Sequence, residues 1–372
     1  MNILFVTNTV KKYALVYKNV LDIFVECGHK IVWAGNFSSF AEGNDKVPCI
    51  MENIPIQSNP FKKSNKIALS MIKNLIQQYN IDCIYCSTPI GSTLARIAIR
   101  RFPKVKLIYA AHGFLFFKHS KKWYLNPIFK LHEKVLAKYT DCLITITNED
   151  YLYAKNHLKL RNGGNIYLIN GAGIELSNKP SVDIKLKRES LGLTDEDYVI
   201  ISAGFLNKNK NNIVILKALH ELKNKAIKYL VCGEGDELSN LKKAVKQYNL
   251  EDNVFFLGYR QDMDELYCVS NLFVMPSFRE GMPRSLLEAM NYGMPCIGSN
   301  IRGISDLIGN YFDARFLCNP NNSHDFARAI DYTMRLDSLD EIRQRNIMEA
   351  KKYSKEVVIE QLKDIFSAEL LN

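Results

Sequence analysis

Glu280 and Glu288, eight positions apart, are the residues of this chain best placed to do chemistry. They lie in the segment Pro276-Ser277-Phe278-Arg279-Glu280-Gly281-Met282-Pro283-Arg284-Ser285-Leu286-Leu287-Glu288, which follows an apolar run over 272–275. Pro283 suits the first turn of a helix and Gly293 its C-terminal cap. Such a helix leaves the N–H groups of Arg284, Ser285 and Leu286 without intrahelical partners, and with the helix dipole they form a site for phosphate. Glu280 precedes this terminus, and Glu288 lies roughly 7–8 Å along the axis from it. A pyrophosphate bound there would leave one carboxylate near each flanking sugar, and carboxylates accept hydrogen bonds from paired hydroxyls. Taken alone, the two glutamates are equally compatible with solvated helix acids.

The elements that must hold these residues alternate almost throughout. In the first half, strands are expected over 3–7, 30–34, 82–86, 106–110, 141–146 and 165–169. Helices are expected over 13–27, 65–79, 92–101, 127–138 and 148–158. Continuous apolar strands separated by helices predict a parallel sheet covered on both faces. The polar stretch 178–197 reads as the boundary between domains. The alternation then restarts, with strands over 198–203, 228–232, 253–257, 272–275, 295–299 and 315–317, and helices to the end. Two Rossmann-like halves are therefore expected, residues 1–178 and 179–354, with a terminal helix over about 355–372 that can pack back on the first. Open parallel sheets bind ligands at the carboxyl ends of their strands.

Composition sets the class. The 372 residues are 47% apolar and 24% charged, as in globular proteins. No apolar run reaches the roughly 18–20 residues of a membrane span. The N-terminus reads as a first strand rather than a signal peptide, so a cytosolic protein is expected. Nine scattered cysteines argue against a disulfide framework. Cys83 and Cys86 form a C-x-x-C inside a buried strand pattern, without the second pair that zinc would need. Asp195-x-Asp197 and Asp262-x-Asp264 imitate a metal-binding D-x-D, but the first precedes a strand and the second is expected to cap a helix. No metal or cofactor is expected. Gly233-x-Gly235 has Leu238 where a third glycine should stand, so it is not a dinucleotide fingerprint.

Several motifs resemble family 4 of the retaining glycosyltransferases, nearly end to end, and within it the subgroup that makes capsular and exopolysaccharides. These are Glu280-x7-Glu288 in its Ser277–Pro283 setting, Ala111-His112-Gly113-Phe114, the run 140–150, Asn170-Gly171-Ala172-Gly173-Ile174, Gly204-Phe205-Leu206-Asn207-Lys208-Asn209-Lys210 and Leu257-Gly258-Tyr259-Arg260. The resemblance implies the GT-B fold, an α/β architecture with the active site between its two Rossmann-like domains. It also implies transfer from a nucleotide diphosphate sugar with no metal. Glu288 would hold the ribose hydroxyls and Glu280 the donor sugar. Lys210 would neutralise the diphosphate and assist its departure. The backbone at Tyr259 and Arg260 would read the base. His112 would face the donor sugar and reaction centre. Gly204, Lys208, Gly281, Met282, Pro283, Arg284 and Ser285 complete the expected donor site. Two departures stand out. Phe205 occupies the place where many members carry Arg, leaving Lys208 or Arg284 as the substitute charge. The loop Asn8-Thr9-Val10-Lys11-Lys12 lacks the paired glycines common there.

The expected activity is hexosyl or N-acetylhexosaminyl transfer, with retained anomeric configuration, from a uridine diphosphate sugar to a lipid-diphosphate-linked saccharide. Residues 1–180 hold 24 Lys+Arg and 11 Asp+Glu, 24 − 11 = +13, against 25 − 28 = −3 for the remainder. That asymmetry points to an anionic partner. Phe116, Phe117, Lys118, Lys121, Lys122 and Trp123, close after His112, combine rings with lysines as a bilayer interface requires, with Phe61-Lys62-Lys63 adding to that face. A peripheral position on the inner face of the plasma membrane follows. One rival reading is a sugar-nucleotide epimerase or phosphorylase of the same architecture. Another is a nucleic-acid-binding protein, although no helix clusters basic and base-reading residues as such proteins do.

Overall fold

The computed structural model describes residues 1–10, 15–40, 47–117, 123–176, 180–309 and 314–370. It forms two compact units, Met1–Gly173 with the C-terminal segment from Lys355, and Ile174–Ser354. The first crossing between units thus falls at Gly173, ahead of the polar stretch after Asn178, because Ile174 already pairs with Ser354 in the second unit.

Among the described residues the first unit holds a seven-stranded parallel sheet. Its strands are β1 (Asn2–Thr9), β2 (Lys30–Asn36), β3 (Ile50–Asn53), β4 (Cys83–Cys86), β5 (Lys106–Ala111), β6 (Cys142–Thr145) and β7 (Asn165–Leu168), ordered 3-2-1-4-5-6-7. β4 and β6 are buried along their whole length, as strands covered by helices on both faces must be. The edge strand β3 was not expected; four half-exposed residues with one Glu and one Asn carry little strand pattern, and pairing with β2 creates it. Cys83 and Cys86 are buried free thiols in β4, both pushed well up by burial. The terminal helix Lys355–Leu370 lies against Leu15–Glu26, with the Phe24 and Phe366 rings 4.5 Å apart. Glu369 accepts from Asn165 Nδ2 at 2.8 Å and the Tyr167 hydroxyl at 3.0 Å on β7.

Among the described residues the second unit holds a six-stranded parallel sheet, β8 (Tyr198–Ala203), β9 (Ile227–Cys232), β10 (Val254–Gly258), β11 (Leu272–Met275), β12 (Cys296–Ser299) and β13 (Leu317–Cys318), ordered 10-9-8-11-12-13. The strand expected over 315–317 is instead a 3-10 turn, Ala314–Phe316, followed by β13. The stretch read as linker contains the helix Ile184–Ser190. Its main anchor is tertiary: buried Arg188 donates to the Val269 carbonyl at 3.0 Å, Asn271 Oδ1 at 3.0 Å and the Thr194 carbonyl at 3.2 Å. In each sheet the strand order reverses once, between β1 and β4 and between β8 and β11. Crevices at such switch points, outside the carboxyl ends of the strands, are where open α/β sheets hold ligands.

Candidate functional site

At the switch point of the second sheet, the loop after β8 carries Gly204–Lys210 and the loop after β11 carries Pro276–Pro283. Lys210 Nζ donates to Glu280 Oε1 at 2.9 Å, with both side chains mostly buried. The loops are stitched together by backbone as well: Phe278 N–H donates to the Asn209 carbonyl at 2.8 Å, and Asn209 Nδ2 to the Arg279 carbonyl at 2.8 Å. Asn211 Nδ2 donates to the carbonyls of Pro276 and Pro320 at 3.1 and 2.8 Å. Ser277 is fully buried beside this pair of loops.

The helix Arg284–Asn291 starts here. Pro283 is its N-cap rather than its first helical residue, in extended backbone and with no side-chain cap. The first N–H groups of the helix therefore face the loop without a capping side chain. At the other end Gly293 takes φ +71°. Its N–H donates to the Met290 carbonyl at 2.8 Å and that of Met294 to Ala289 at 3.1 Å, a Schellman closure. The Ser285 hydroxyl donates to the Ala203 carbonyl at 3.1 Å, fixing the helix start to the end of β8. Glu288 lies 3.9 Å from Arg284 and 3.5 Å from the Tyr267 hydroxyl. Burial pushes its carboxyl above the usual range, against the attraction of Arg284.

The loops after β9 and β10 close the remaining side. Gly204 N–H donates to the Cys232 carbonyl at 3.0 Å, and Gly233 N–H to the Gly258 carbonyl at 2.7 Å. A Cβ on Gly233 would stand 1.9 Å from the Gly204 oxygen, so three strand ends meet only because glycine occupies this place. Tyr259 is 72% exposed, and Phe205 and Lys208 are exposed at the rim. Arg260 is held by Asp262 through bonds of 2.8 and 2.6 Å. Asp262 stands at the N-cap of Met263–Val269, as expected of the D-x-D, yet its side chain makes no cap. It is instead bound by Arg260 and, at 2.7 Å, by Lys187, and these bonds hold it well below the usual carboxylate range.

In the first unit, His112 and Gly113 follow β5, and Phe114 N–H donates to Asp150 Oδ2 at 3.2 Å. Burial pushes the His112 imidazole down to about 4, so the ring is neutral at physiological pH. Asn8, near the end of β1, accepts at its Oδ1 from Gly91 N–H at 2.7 Å and from the Thr88 hydroxyl at 2.9 Å. The expectation for the aromatic loop is corrected at Phe116. This ring is 4% exposed, stacked 5.1 Å from Phe114 and edge-on to Tyr153 at 4.6 Å, so it belongs to the core rather than to an interface. Phe117 is half-buried. Lys118, Lys121 and Lys122 lie outside the described residues, and Trp123 opens the turn Trp123–Leu125.

In the sequence Asn209 has no role beyond its place in the Gly204–Lys210 motif, Asn211 has none, and Gly233 stands only as part of a failed dinucleotide fingerprint. A strand end followed at once by glycine was the signal, since it marks close backbone approach. Among the described residues no group of three or more His, Cys, Asp or Glu is placed to hold a metal, and no helix is long and apolar enough to cross a membrane.

Comparison with known proteins gives matches over both units. Residues 18–170 match the family described as Glycosyltransferase Family 4, and residues 183–353 match Glycosyl transferases group 1. The chain is 33% identical over 341 residues to the protein EpsD of Bacillus subtilis (strain 168), covering 88% of each chain. It is 30% identical over 289 residues to the UDP-Gal:alpha-D-GlcNAc-diphosphoundecaprenol alpha-1,3-galactosyltransferase of Escherichia coli, covering 76% of this chain and 73% of that one. Among solved structures, Anabaena Alr3699/HepE in complex with UDP superposes with a TM-score of 0.76 at 19% identity, over 99% of this chain and 100% of the other.

Proposed function

The chain belongs to glycosyltransferase family 4 and has the GT-B fold, and from that premise we propose that it moves a hexose or N-acetylhexosamine from a UDP-sugar to a lipid-diphosphate-linked saccharide, with retained anomeric configuration, in surface polysaccharide synthesis. The observation that carries this reading is the joined pair of loops at the second switch point, where the Lys210–Glu280 ion pair adjoins an uncapped helix N-terminus. The arriving diphosphate takes the positive end of the helix and the Lys210 ammonium, which relieves the charge that grows on the leaving group. Glu280, released from Lys210, accepts from hydroxyls of the donor sugar. Glu288, four residues into the helix, accepts from the ribose hydroxyls, and the backbone at Tyr259 and Arg260 reads uracil. The leaving diphosphate takes the proton of the attacking hydroxyl on the same face of the sugar, and His112, as a neutral imidazole, donates or accepts a hydrogen bond without carrying charge.

The Escherichia coli relative's name specifies a UDP-sugar donor and a diphosphoundecaprenol acceptor, and this supports the same classes here. An acceptor of that kind keeps the protein at the inner face of the plasma membrane as a peripheral protein. A thermal-shift screen of nucleoside diphosphates and their sugars tests the donor site, since a ligand bound only by the folded state raises Tm. Stabilisation by UDP or one UDP-sugar, followed by UDP release that requires a diphosphate-linked acceptor, is expected. No stabilisation by any nucleotide at millimolar concentration would overturn the reading. Turnover of the donor without an acceptor would favour an epimerase.

A further inference from the structure

The helix Asn126–Ala137 has one face in the core and one face split in two. Glu133, Leu136 and Ala137 are buried. Ile128, Leu131 and Val135 are 62, 62 and 50% exposed, and Tyr124 just before them is 59% exposed. At about 100° per residue, Ile128, Leu131 and Val135 fall within about 60° of one another. Lys130, Lys134 and Lys138 form an exposed row alongside. The stretch of sequence that ends with this helix is one-sided in charge. Residues 61–138 contain 15 Lys+Arg and 2 Asp+Glu, 15 − 2 = +13, which equals the whole excess of the first 180 residues. Of the two acids, Glu133 is neutralised by Arg96 at 2.6 Å.

An apolar row beside a basic row fits one kind of surface. The apolar side chains sink to the acyl boundary while lysines reach lipid phosphates, each contributing at close range. A polyanion such as nucleic acid would engage the lysines and leave the apolar row in water. The helix follows β5 and the His112 loop, so its first turn lies at the carboxyl edge of the first sheet. Phe61, 93% exposed ahead of the helix Ser64–Gln78, lies at the same edge.

We propose that the helix Asn126–Ala137 docks the first unit on an anionic phospholipid bilayer, with Ile128, Leu131 and Val135 inserted and Lys134 and Lys138 on lipid phosphates. This surface replaces the aromatic loop at Phe116 as the docking element, and it rests on the reading of a lipid-linked acceptor. The full chain should co-sediment with vesicles of phosphatidylglycerol and phosphatidylcholine, and much less with phosphatidylcholine alone. Ile128→Glu with Leu131→Glu should weaken that partition about tenfold or more, and Lys134→Gln with Lys138→Gln should remove its salt sensitivity in part. Tm, and transfer to a water-soluble diphosphate-linked sugar without a long lipid, should be unchanged. Should the Glu pair lower Tm, Ile128→Ser with Leu131→Ser provides the same reading. Vesicle binding by the Glu or Ser pair equal to wild type, no preference for anionic vesicles, or binding to double-stranded DNA in place of vesicles would each overturn the proposal. Transfer to the soluble acceptor by the unmodified protein is scored separately; its absence would sink the transferase reading whatever the vesicles show.

Discussion

Lys210 Nζ and Glu280 Oε1, 2.9 Å apart, join the loop after β8 to the loop after β11 across the point where the strand order reverses. The contact gives each charge a partner, and in the proposed reaction the lysine changes partner as the diphosphate arrives. Lys210→Ala should lower kcat about 10²–10³-fold, the size of effect seen when one group stabilising a leaving charge is lost. Lys210→Arg should recover part of it. Stability should fall by about 1–3 kcal/mol, since the mostly buried Glu280 carboxylate loses its partner. UDP release at saturating donor, with urea unfolding alongside, measures both. A kcat within threefold of wild type would remove Lys210 from the leaving group.

Glu288 should show opposite effects on binding and stability. Burial raises its pKa in the folded chain. A carboxyl whose folded pKa exceeds its unfolded value stabilises below the unfolded pKa and loses that stabilisation as pH rises through the folded value. Glu288→Gln should therefore raise Tm at pH 7–8 and leave it unchanged near pH 4. The same variant should weaken UDP binding about tenfold, since one charged acceptor of a hydrogen bond is lost. Calorimetric titration with UDP and a pH series of melting curves decide it. Equal UDP affinity would place the ribose elsewhere.

The fold was legible because its signal is local and repeated. β8 and β11 were read at their full length, Tyr198–Ala203 and Leu272–Met275, from apolar runs closed by glycine or proline. β3 and the helix Ile184–Ser190 were not, because pairing with β2 and the bonds of buried Arg188 hold them, and both partners are distant in sequence. At the site, the spacing of Glu280 and Glu288 around a helix start marks them as candidates and the family resemblance marks Lys210, while the ion pair between Lys210 and Glu280 was not legible, because the two loops are distant in sequence. The orientation of Phe116 was not legible either, since a ring beside lysines looks the same whether it faces lipid or stacks on Phe114.

His112 should leave a mark on stability against pH. Its pKa is about 4 in the folded chain, and an unfolded histidine titrates near 6.5. Between those values the unfolded chain binds more protons, so stability falls as pH drops from about 6.5 to about 4 and is unaffected above pH 7. His112→Gln should lack this loss, so its stability relative to wild type should rise by about 1–3 kcal/mol across the window. Urea midpoints at pH 7 and pH 4.5 measure it. An unchanged difference between the two proteins would mean that the imidazole titrates normally.

Gly233→Ala places a methyl 1.9 Å from the Gly204 oxygen on a residue at φ +139°. Either the strand ends part or the backbone strains, and both cost free energy. The variant should lose about 2 kcal/mol or more of stability, with donor affinity falling too, because Gly204 and Lys210 share a loop. Unfolding by urea and the Kd for UDP are the measurements. Full stability would mean that the two loops can slide apart without cost.

The pair of Arg96 and Glu133 ties the proposed docking helix to the first unit. Arg96 Nη1 donates to Glu133 Oε2 at 2.6 Å, and its guanidinium lies 4.3 Å from the Tyr109 ring centroid. Burial by itself would raise the Glu133 carboxyl, but attraction to Arg96 outweighs it and brings the pKa down to about 2. A carboxylate with a depressed folded pKa contributes stability above its unfolded value, and that contribution is lost as pH falls from about 4.5 through about 2. Removing one partner of such a pair leaves the other charge buried and alone, which costs about 3–5 kcal/mol. Glu133→Gln should therefore destabilise strongly at pH 7 and less at pH 3, where the wild type has already lost part of that contribution. Arg96→Met with Glu133→Leu, which removes both charges, should fall far short of the sum of the single changes. Urea unfolding of the four proteins at the two pH values completes the cycle. Additive losses would show that the two side chains act independently and that the apolar contacts of Phe129, Leu136 and Ala137 carry the anchoring of the helix.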